Sequence, residues 1–379
     1  MRIGFDAKRA FMNSRGLGNY SRTLLESLEK YYPENECFLF TPKLSGTFGQ
    51  DWYKKHPHFK IVLPQGFGHQ IFRSAWRSFF IKNDLIEKQL DIYHGLSHEL
   101  PFGIEKLNIK KIVTVHDLIF MRYPQYFPWI DRQVYLKKLK HSCEIAHIIV
   151  SICEQTKRDL IKFLNIDEKR IEVVYQSCHQ RFYSSQNQEK TDKVSKKFKL
   201  PEKYILTVGA LEKRKNFLNL IKAYSLGRNQ FKDYKLLIVG KGEGKYKKEM
   251  LDFIRENNLK DHIRFLENVP HGDLPCIYQK SSLFVFPSHF EGFGLPIVEA
   301  IFSETPVITS KGSFFGETAG DSAIYIDPDK PEDISFEMAR VLKDPDLVRS
   351  MIRKGRSYVE KFHRRNTSLK MMSLYKRLF

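Results

Sequence analysis

Apolar residues recur along the chain as two series of short runs separated by longer amphipathic stretches. In the first half the runs are Ile3–Phe5, Cys37–Phe40, Ile61–Leu63, Ile92–Tyr93, Ile112–Val115, Ile148–Ser151 and Ile171–Tyr175. In the second they are Tyr204–Val208, Lys235–Val239, Ile263–Leu266, Leu283–Phe286, Val307–Thr309 and Ile324–Ile326. Their lengths suit strands, and "NYSRTLLESLEKYY", "CEQTKRDLIKFLN" and "NFLNLIKAYSLG" between them carry a helical pattern. Such alternation predicts parallel sheets covered by helices on both sides, in two doubly wound α/β domains. A chain of 379 residues is also too long for one ordinary core. The polar stretch "RFYSSQNQEKTDKVSKKFKLPEKY" reads as a connector with a solvated helix, so the domains are expected at 1–185 and 186–360. The tail 361–379, "KFHRRNTSLKMMSLYKRLF", is basic and helical in pattern and is expected to dock back on the first domain.

Charge and cysteines narrow the class. No apolar run approaches the roughly 20 residues that span a bilayer. The opening "MRIGFDAKRA" reads as a first strand rather than a secretory signal. Five scattered cysteines without a C-x-x-C pair argue against a disulfide framework or a zinc site and fit a reducing cytoplasm. The formal net charge of +19 is unevenly spread. Residues 1–200 carry 33 basic and 21 acidic side chains, whereas 251–350 carry 9 and 17. Nucleic-acid binding would explain a basic chain, but no helix-turn-helix, zinc-finger or RNA-binding signature accompanies it. An anionic membrane surface, a phosphate-bearing substrate or a merely lysine-rich solvated surface explains the charge equally well.

Candidate chemistry concentrates in "SSLFVFPSHFEGFGLPIVEA". Leu283 to Pro287 has the composition of a strand buried on both faces. Leu295 to Phe302 reads as a packed helix with Pro296 in its first turn. Gly292 and Gly294 then form the strand-to-helix turn, where amides at a helix start attract anions. Glu291 sits at the mouth of that turn and Glu299 about one turn into the helix. A second cluster, Lys213–Arg214–Lys215, follows the strand ending at Gly209, again at a strand's carboxyl end, where open parallel sheets bind ligands. Arg214 and Lys215 can offset the acidic pair and hold a diphosphate, at roughly 1.5–3 kcal/mol per charge-assisted hydrogen bond. One carboxylate can accept two ribose hydroxyls and the other the hydroxyls of a second sugar. A nucleotide-sugar has all three parts: ribose, diphosphate and hexose.

Other motifs compete for attention. "VGKGEGKY" resembles a phosphate loop, but its spacing is short and no Ser or Thr follows the lysine, so it reads as a strand-end glycine turn. His94 and His98 in "HGLSHE" have a helical metal spacing but follow a strand. "RIGFDAKRAFMNSRGLG" lacks the tight glycine spacing of a dinucleotide fingerprint, which argues against NAD. His116 follows a strand, beside Asp117. A lone histidine is more often a satisfied structural residue, while its strand-end position favours function.

Taken together, "EGFGLPIVEA", "LEKRKNFLNLIKAY", "LLIVGKGEG" and "GETAGDSAIYIDP" resemble the retaining glycosyltransferases of family four. The similarity extends through "MRIGFDAKRAFMNSRGLGNYSRTLLESL", "DIYHGLSHELP", "VTVHDLIFMRYP" and "VSICEQTKRDLIKFLNIDEKRIEVVY" to nearly the whole chain. It is strongest to the mannosyltransferase-like enzymes that build bacterial surface polysaccharides. The resemblance implies the GT-B fold, two Rossmann-like domains facing across a cleft. It implies Glu299 on the donor ribose, Glu291 on the transferred sugar, and Arg214 and Lys215 on the diphosphate. Gly292, Phe293, Gly294 and Leu295 would approach the sugar and phosphates, His116 would contact the hexose at the reacting centre, and Gly16 and Gly18 would form a loop closing over the donor. Where many relatives have an asparagine-glycine pair after Val173–Val174, this chain has "YQSCHQRF".

The expected activity is metal-independent hexose transfer without a cofactor. The donor is a nucleotide-sugar, GDP-mannose first and UDP-hexoses next. The acceptor is a glycan or a phosphate-bearing lipid-linked sugar, and the place is the cytoplasm at the inner face of the membrane. A nucleotide-sugar epimerase or phosphorylase of the same architecture, and a nucleic-acid-binding protein, are the rival readings.

Overall fold

The computed structural model describes residues 1–44, 46–65, 72 and 75–379. The chain forms two compact units, Met1–Cys178 with Phe362–Phe379, and His179–Lys361. The division lies earlier than the 185/186 boundary expected from composition, because the start of the connector packs on the second unit. There Phe182 meets Tyr278 with ring centroids 5.8 Å apart, Tyr183 meets Phe302 at 4.4 Å, and the Gln186 amide donates to Gln279 Oε1 at 2.9 Å.

The first unit holds a parallel sheet of β1 (Arg2–Asp6), β2 (Glu36–Phe40), β3 (Lys60–Val62), β4 (Ile92–Gly95), β5 (Lys110–Val115), β6 (Ile148–Ser151) and β7 (Ile171–Val173). Their order is β3-β2-β1-β4-β5-β6-β7, so the winding reverses between β1 and β4. Alternate strand residues feed opposite faces, as the strand period of two requires. Cys37, Leu39, Ile112, Ile148 and Val150 join the core under the helix Gly16–Tyr31. Phe38, Phe40, Val113, Val115 and Ile149 join the core on the other face.

The C-terminal helix Arg364–Lys376 belongs to the first core through Met371, Met372, Leu374 and Tyr375. Tyr375 Oη lies 2.7 Å from His94 Nδ1, and Arg364 Nη2 donates to the Glu26 carbonyl at 3.0 Å. These contacts anchor the tail.

The second unit repeats the plan with β8 (Tyr204–Val208), β9 (Lys235–Val239), β10 (Ile263–Leu266), β11 (Leu283–Phe286), β12 (Val307–Ser310) and β13 (Ala323–Ile326). The order β10-β9-β8-β11-β12-β13 reverses between β8 and β11. Both motifs singled out in this half follow one of those two strands.

Candidate active site

Because β8 and β11 pair directly, Ile205 against Leu283 and Leu206 against Phe284, the loops leaving them are neighbours at the switch point. After β8 the chain makes a short 3-10 turn at Lys213–Lys215 and reverses through Asn216 at φ 59°, whose side-chain Nδ2 donates to the Pro328 carbonyl at 2.6 Å. After β11 it turns through Gly294 at φ +80°, a left-handed conformation that favours glycine. A Cβ there would also lie 2.8 Å from the Phe314 ring. The helix Leu295–Phe302 starts at once, with Pro296 in its first turn. Pro296 has no N–H to offer there, and the Ile297 amide donates to the Gly294 carbonyl at 2.9 Å.

The two loops meet through charge. Glu291 Oε1 lies 2.6 Å from both Arg214 Nη1 and Lys215 Nζ, and Ser288 Oγ donates to it at 3.0 Å. Arg214 also donates to the Phe290 carbonyl at 3.1 Å and pairs with Glu212 Oε2 at 3.0 Å. The Lys215 ammonium sits 5.0 Å from the centre of the Phe286 ring. Burial alone would push the Glu291 carboxyl up, but Lys215 and Arg214 outweigh it and hold the carboxyl below its ordinary range. Burial pulls Lys215 down, an effect that Glu291 opposes and Arg214 reinforces. In this state Glu291 therefore neutralises the cations expected on a diphosphate.

Glu299 is built differently. It is partly exposed, yet its carboxyl sits among protein atoms, and burial pushes it up to about 7. The Tyr278 hydroxyl, donating to Oε2 at 3.2 Å, and the Arg181 charge oppose that rise. Phe293 is buried, with its carbonyl accepting from Thr318 Oγ1 at 2.8 Å, so it holds the turn in place. The glycine turn of "VGKGEG" closes against the β8 end, where Leu211 N donates to the Lys241 carbonyl at 3.2 Å.

In the first unit, Gly16 and Gly18 depart from the expected loop: both lie in the first turn of the helix Gly16–Tyr31. Gly18 is there for space, since a Cβ would lie 1.7 Å from the Asn13 carbonyl oxygen. Nothing lies within 4 Å of a Cβ on Gly16. His116 follows β5 and is 3% exposed. Its Nε2 faces the Leu96 carbonyl at 2.9 Å and its Nδ1 faces the Gln176 amide at 2.9 Å, so Nε2 carries the proton and both nitrogens are engaged. Burial and the neighbouring His98 bring it down to about 3, leaving a neutral ring. Gln176 lies in "YQSCHQRF", the stretch that departs from the asparagine-glycine pattern. His94 spends Nδ1 on Tyr375 and Nε2 on Thr114, at 2.7 and 2.8 Å, so it does not converge with His98.

Two family models divide the chain between them. Residues 14–177 match glycosyltransferase family 4, and residues 188–358 match glycosyl transferases group 1. The chain belongs to the family-four glycosyltransferases. O-antigen chain mannosyltransferase B of Escherichia coli is 29% identical over 289 residues, covering 76% of this chain and 74% of that protein. An O-antigen chain mannosyltransferase of Salmonella typhimurium is 30% identical over 236 residues, 62% of each protein. Among solved structures, sucrose-phosphate synthase from Thermosynechococcus elongatus aligns with a TM-score of 0.80 at 20% identity, over 100% of this chain and 99% of that one. An Anabaena protein crystallised with UDP and glucose aligns at 0.77 and 16%, over 100% of both chains. The glycosyltransferase has the GT-B fold.

Three neighbours of the expected residues, one in the second unit and two in the first, escaped the sequence reading. Tyr278 meets Glu299 only because the helix Leu274–Lys280 packs beside the helix Leu295–Phe302. Gln176 reaches His116 from 60 residues away. His98, weighed only as a metal ligand, adopts φ 65° and accepts at Nε2 from the amides of His116 and Asp117, at 3.0 and 3.4 Å. Its proton is thereby placed on Nδ1. The positive φ is a local sign that no sequence pattern displays.

Proposed function

We propose that this glycosyltransferase moves a hexose, with retention, from a nucleotide-sugar to a glycan or lipid-linked acceptor in the assembly of a bacterial surface polysaccharide. Mannose from GDP-mannose is the first donor to test, in line with the mannosyltransferases named among its relatives. UDP-hexoses come next. The observation that carries the reading is the cation pair at the β8/β11 switch point, held by Glu291 beside a helix start.

In this reading the diphosphate displaces Glu291 from Arg214 and Lys215. The bond from the anomeric carbon to the diphosphate oxygen breaks as the acceptor oxygen bonds to the same sugar face. The acceptor's proton passes to a phosphate oxygen of the leaving group. The transition state has oxocarbenium character, and the stabilisation falls mainly on the departing diphosphate. Arg214 and Lys215 supply that positive charge together with the amides of Gly292, Phe293, Gly294 and Leu295, which makes metal-independent transfer the expected mode. Glu299 takes the ribose hydroxyls and the released Glu291 those of the hexose. From the first unit, the helix-start amide of Gly16 and neutral His116 are assigned to the donor, and Gly18 fixes that helix start. The basic first unit takes the acceptor, and the enzyme works peripherally at an anionic membrane face. No helix among the described residues is long and apolar enough to cross a membrane.

A thermal-shift panel of nucleoside diphosphates and nucleotide-sugars tests the reading. The expected result is stabilisation by one nucleotide class, lost in Arg214→Ala, followed by transfer with the donor's anomeric configuration kept and no sensitivity to EDTA. No response to any nucleotide-sugar would overturn it. Donor consumed without a glycan acceptor would instead support the epimerase or phosphorylase reading, and salt-dependent binding of RNA or DNA the nucleic-acid one.

A further inference from the structure

The helix Trp129–Ile145 carries apolar residues on two sides: Leu136, Leu139, Cys143 and Ile145 pack on the core, while Trp129, Ile130, Val134 and Tyr135 are exposed. Its buried residues, Leu139, Ser142 and Cys143, all fall in its second half and on one face. At 100° per residue, Ile130, Val134, Lys137 and His141 form a stripe on the opposite face, with Trp129 and Lys140 at its edge and Gln133 and one acid, Glu144, between them. Trp129 is 66% exposed, Ile130 69% and Val134 49%. Among the described residues, none covers them. The stripe continues off the helix: His141 stacks on Phe102 at 4.2 Å, Phe102 stacks on Phe79 at 5.2 Å, and Phe79 and its neighbour Phe80 are each 52% exposed. An apolar ridge thus runs along one flank of the first unit with lysines set into it.

We infer that this ridge is the surface by which the enzyme lies on an anionic lipid bilayer. The inference rests on the lipid-linked acceptor proposed above and gives it a location. An indole, aromatic rings and branched aliphatics interleaved with lysines match the boundary between headgroups and acyl chains. The lysines add the attraction that anionic headgroups exert, and the 32 basic against 19 acidic residues of the first unit act in the same sense. The same lysines oppose the main alternative, a second copy of the chain. A two-fold contact through this stripe would gather Lys137 and Lys140 of both copies against only the two Glu144 side chains, a net positive seam.

The test is flotation of the full-length enzyme with vesicles of phosphatidylcholine alone and of phosphatidylcholine mixed with phosphatidylglycerol. Wild type is expected to float with the mixed vesicles and to be released by salt. Trp129→Ser combined with Ile130→Ser should abolish flotation, and Lys137→Gln with Lys140→Gln should weaken it roughly 30-fold, near fivefold per lysine. A second readout needs no variant to lose binding. Trp52 and Trp76 are buried, so a blue shift of tryptophan emission on adding mixed vesicles would come from Trp129 and should vanish in Trp129→Phe.

Flotation unchanged in both double variants, or absent in the wild type, overturns the surface. A concentration-dependent dimer abolished by the serine variants overturns it in favour of a second copy. Failure of the transferase reading shows separately, as absence of nucleotide-sugar binding, which none of these substitutions touches.

Discussion

The pH dependence of donor binding offers the sharpest test of the ribose role given to Glu299. Burial raises its carboxyl from 4.5 to about 7, so its charge changes across the neutral range. Glu291 is held low by its cations and stays ionised throughout that range, so it adds no slope. If the ionised form accepts both ribose hydroxyls, affinity rises as pH rises through about 7 and then levels off. The ionised fraction is roughly 0.9 near pH 8 and roughly 0.03 near pH 5.5, which limits the change to about 30-fold, or ~2 kcal/mol. That size agrees with one charge-assisted hydrogen bond, worth about 1.5–3 kcal/mol.

In the ligand-free protein the sign is opposite. The buried carboxyl favours its protonated form, so this contribution to stability is complete below about 4.5 and is lost as pH rises to about 7. The assay is calorimetric titration with an intact nucleotide-sugar, whose bridged diphosphate does not itself titrate in this range. Glu299→Gln should bind weakly with a flat profile. Equal wild-type affinity at both ends of the range, or a sloping profile retained in Glu299→Gln, would refute the assignment.

Three further outcomes follow from the geometry. Glu291→Ala leaves Arg214 and Lys215 facing each other without their shared carboxylate, so thermal melts should show a loss of about 3 kcal/mol, with a nucleoside diphosphate restoring more stability to the variant than to wild type. Equal melting of variant and wild type would remove the basis for the competition between carboxylate and diphosphate. His116→Ala strands the Leu96 carbonyl and the Gln176 amide and should destabilise the protein by about 2–4 kcal/mol while leaving nucleotide affinity unchanged. A change in nucleotide affinity in calorimetry would contradict this. Gly18→Ala forces a Cβ onto the Asn13 carbonyl and should cost more than about 3 kcal/mol, whereas Gly16→Ala should stay within about 1 kcal/mol, as denaturant melts can check.

Much of the architecture was legible from local pattern. Leu283–Phe286 and Leu295–Phe302 are observed as the strand and helix expected, because an unbroken apolar run and a proline in the first turn are local signals. Each other apolar run also became a strand, with small differences at the ends, as at Val307–Ser310. The resemblance implies a loop at Gly16 and Gly18, whereas both open the helix Gly16–Tyr31. A glycine is needed at 18 because the Arg9 and Asn13 carbonyls, at the preceding helix Lys8–Met12 and its exit, crowd that turn, a packing that no residue pattern displays.

The chain's own pattern therefore determined the elements, the two-unit plan and the residue types offered at each strand end, since these depend on side-chain period and local backbone preference. Partnership was decided elsewhere. Glu291 meets Arg214 and Lys215 because β8 and β11, which the sequence separates by β9 and β10, are neighbours in the sheet. Charge state was decided there too. Glu291 and Glu299, eight positions apart, are driven in opposite directions, one by two adjacent cations and the other by enclosure beside Tyr278. Burial and through-space charge depend on the completed fold, and no run of residues carries them alone.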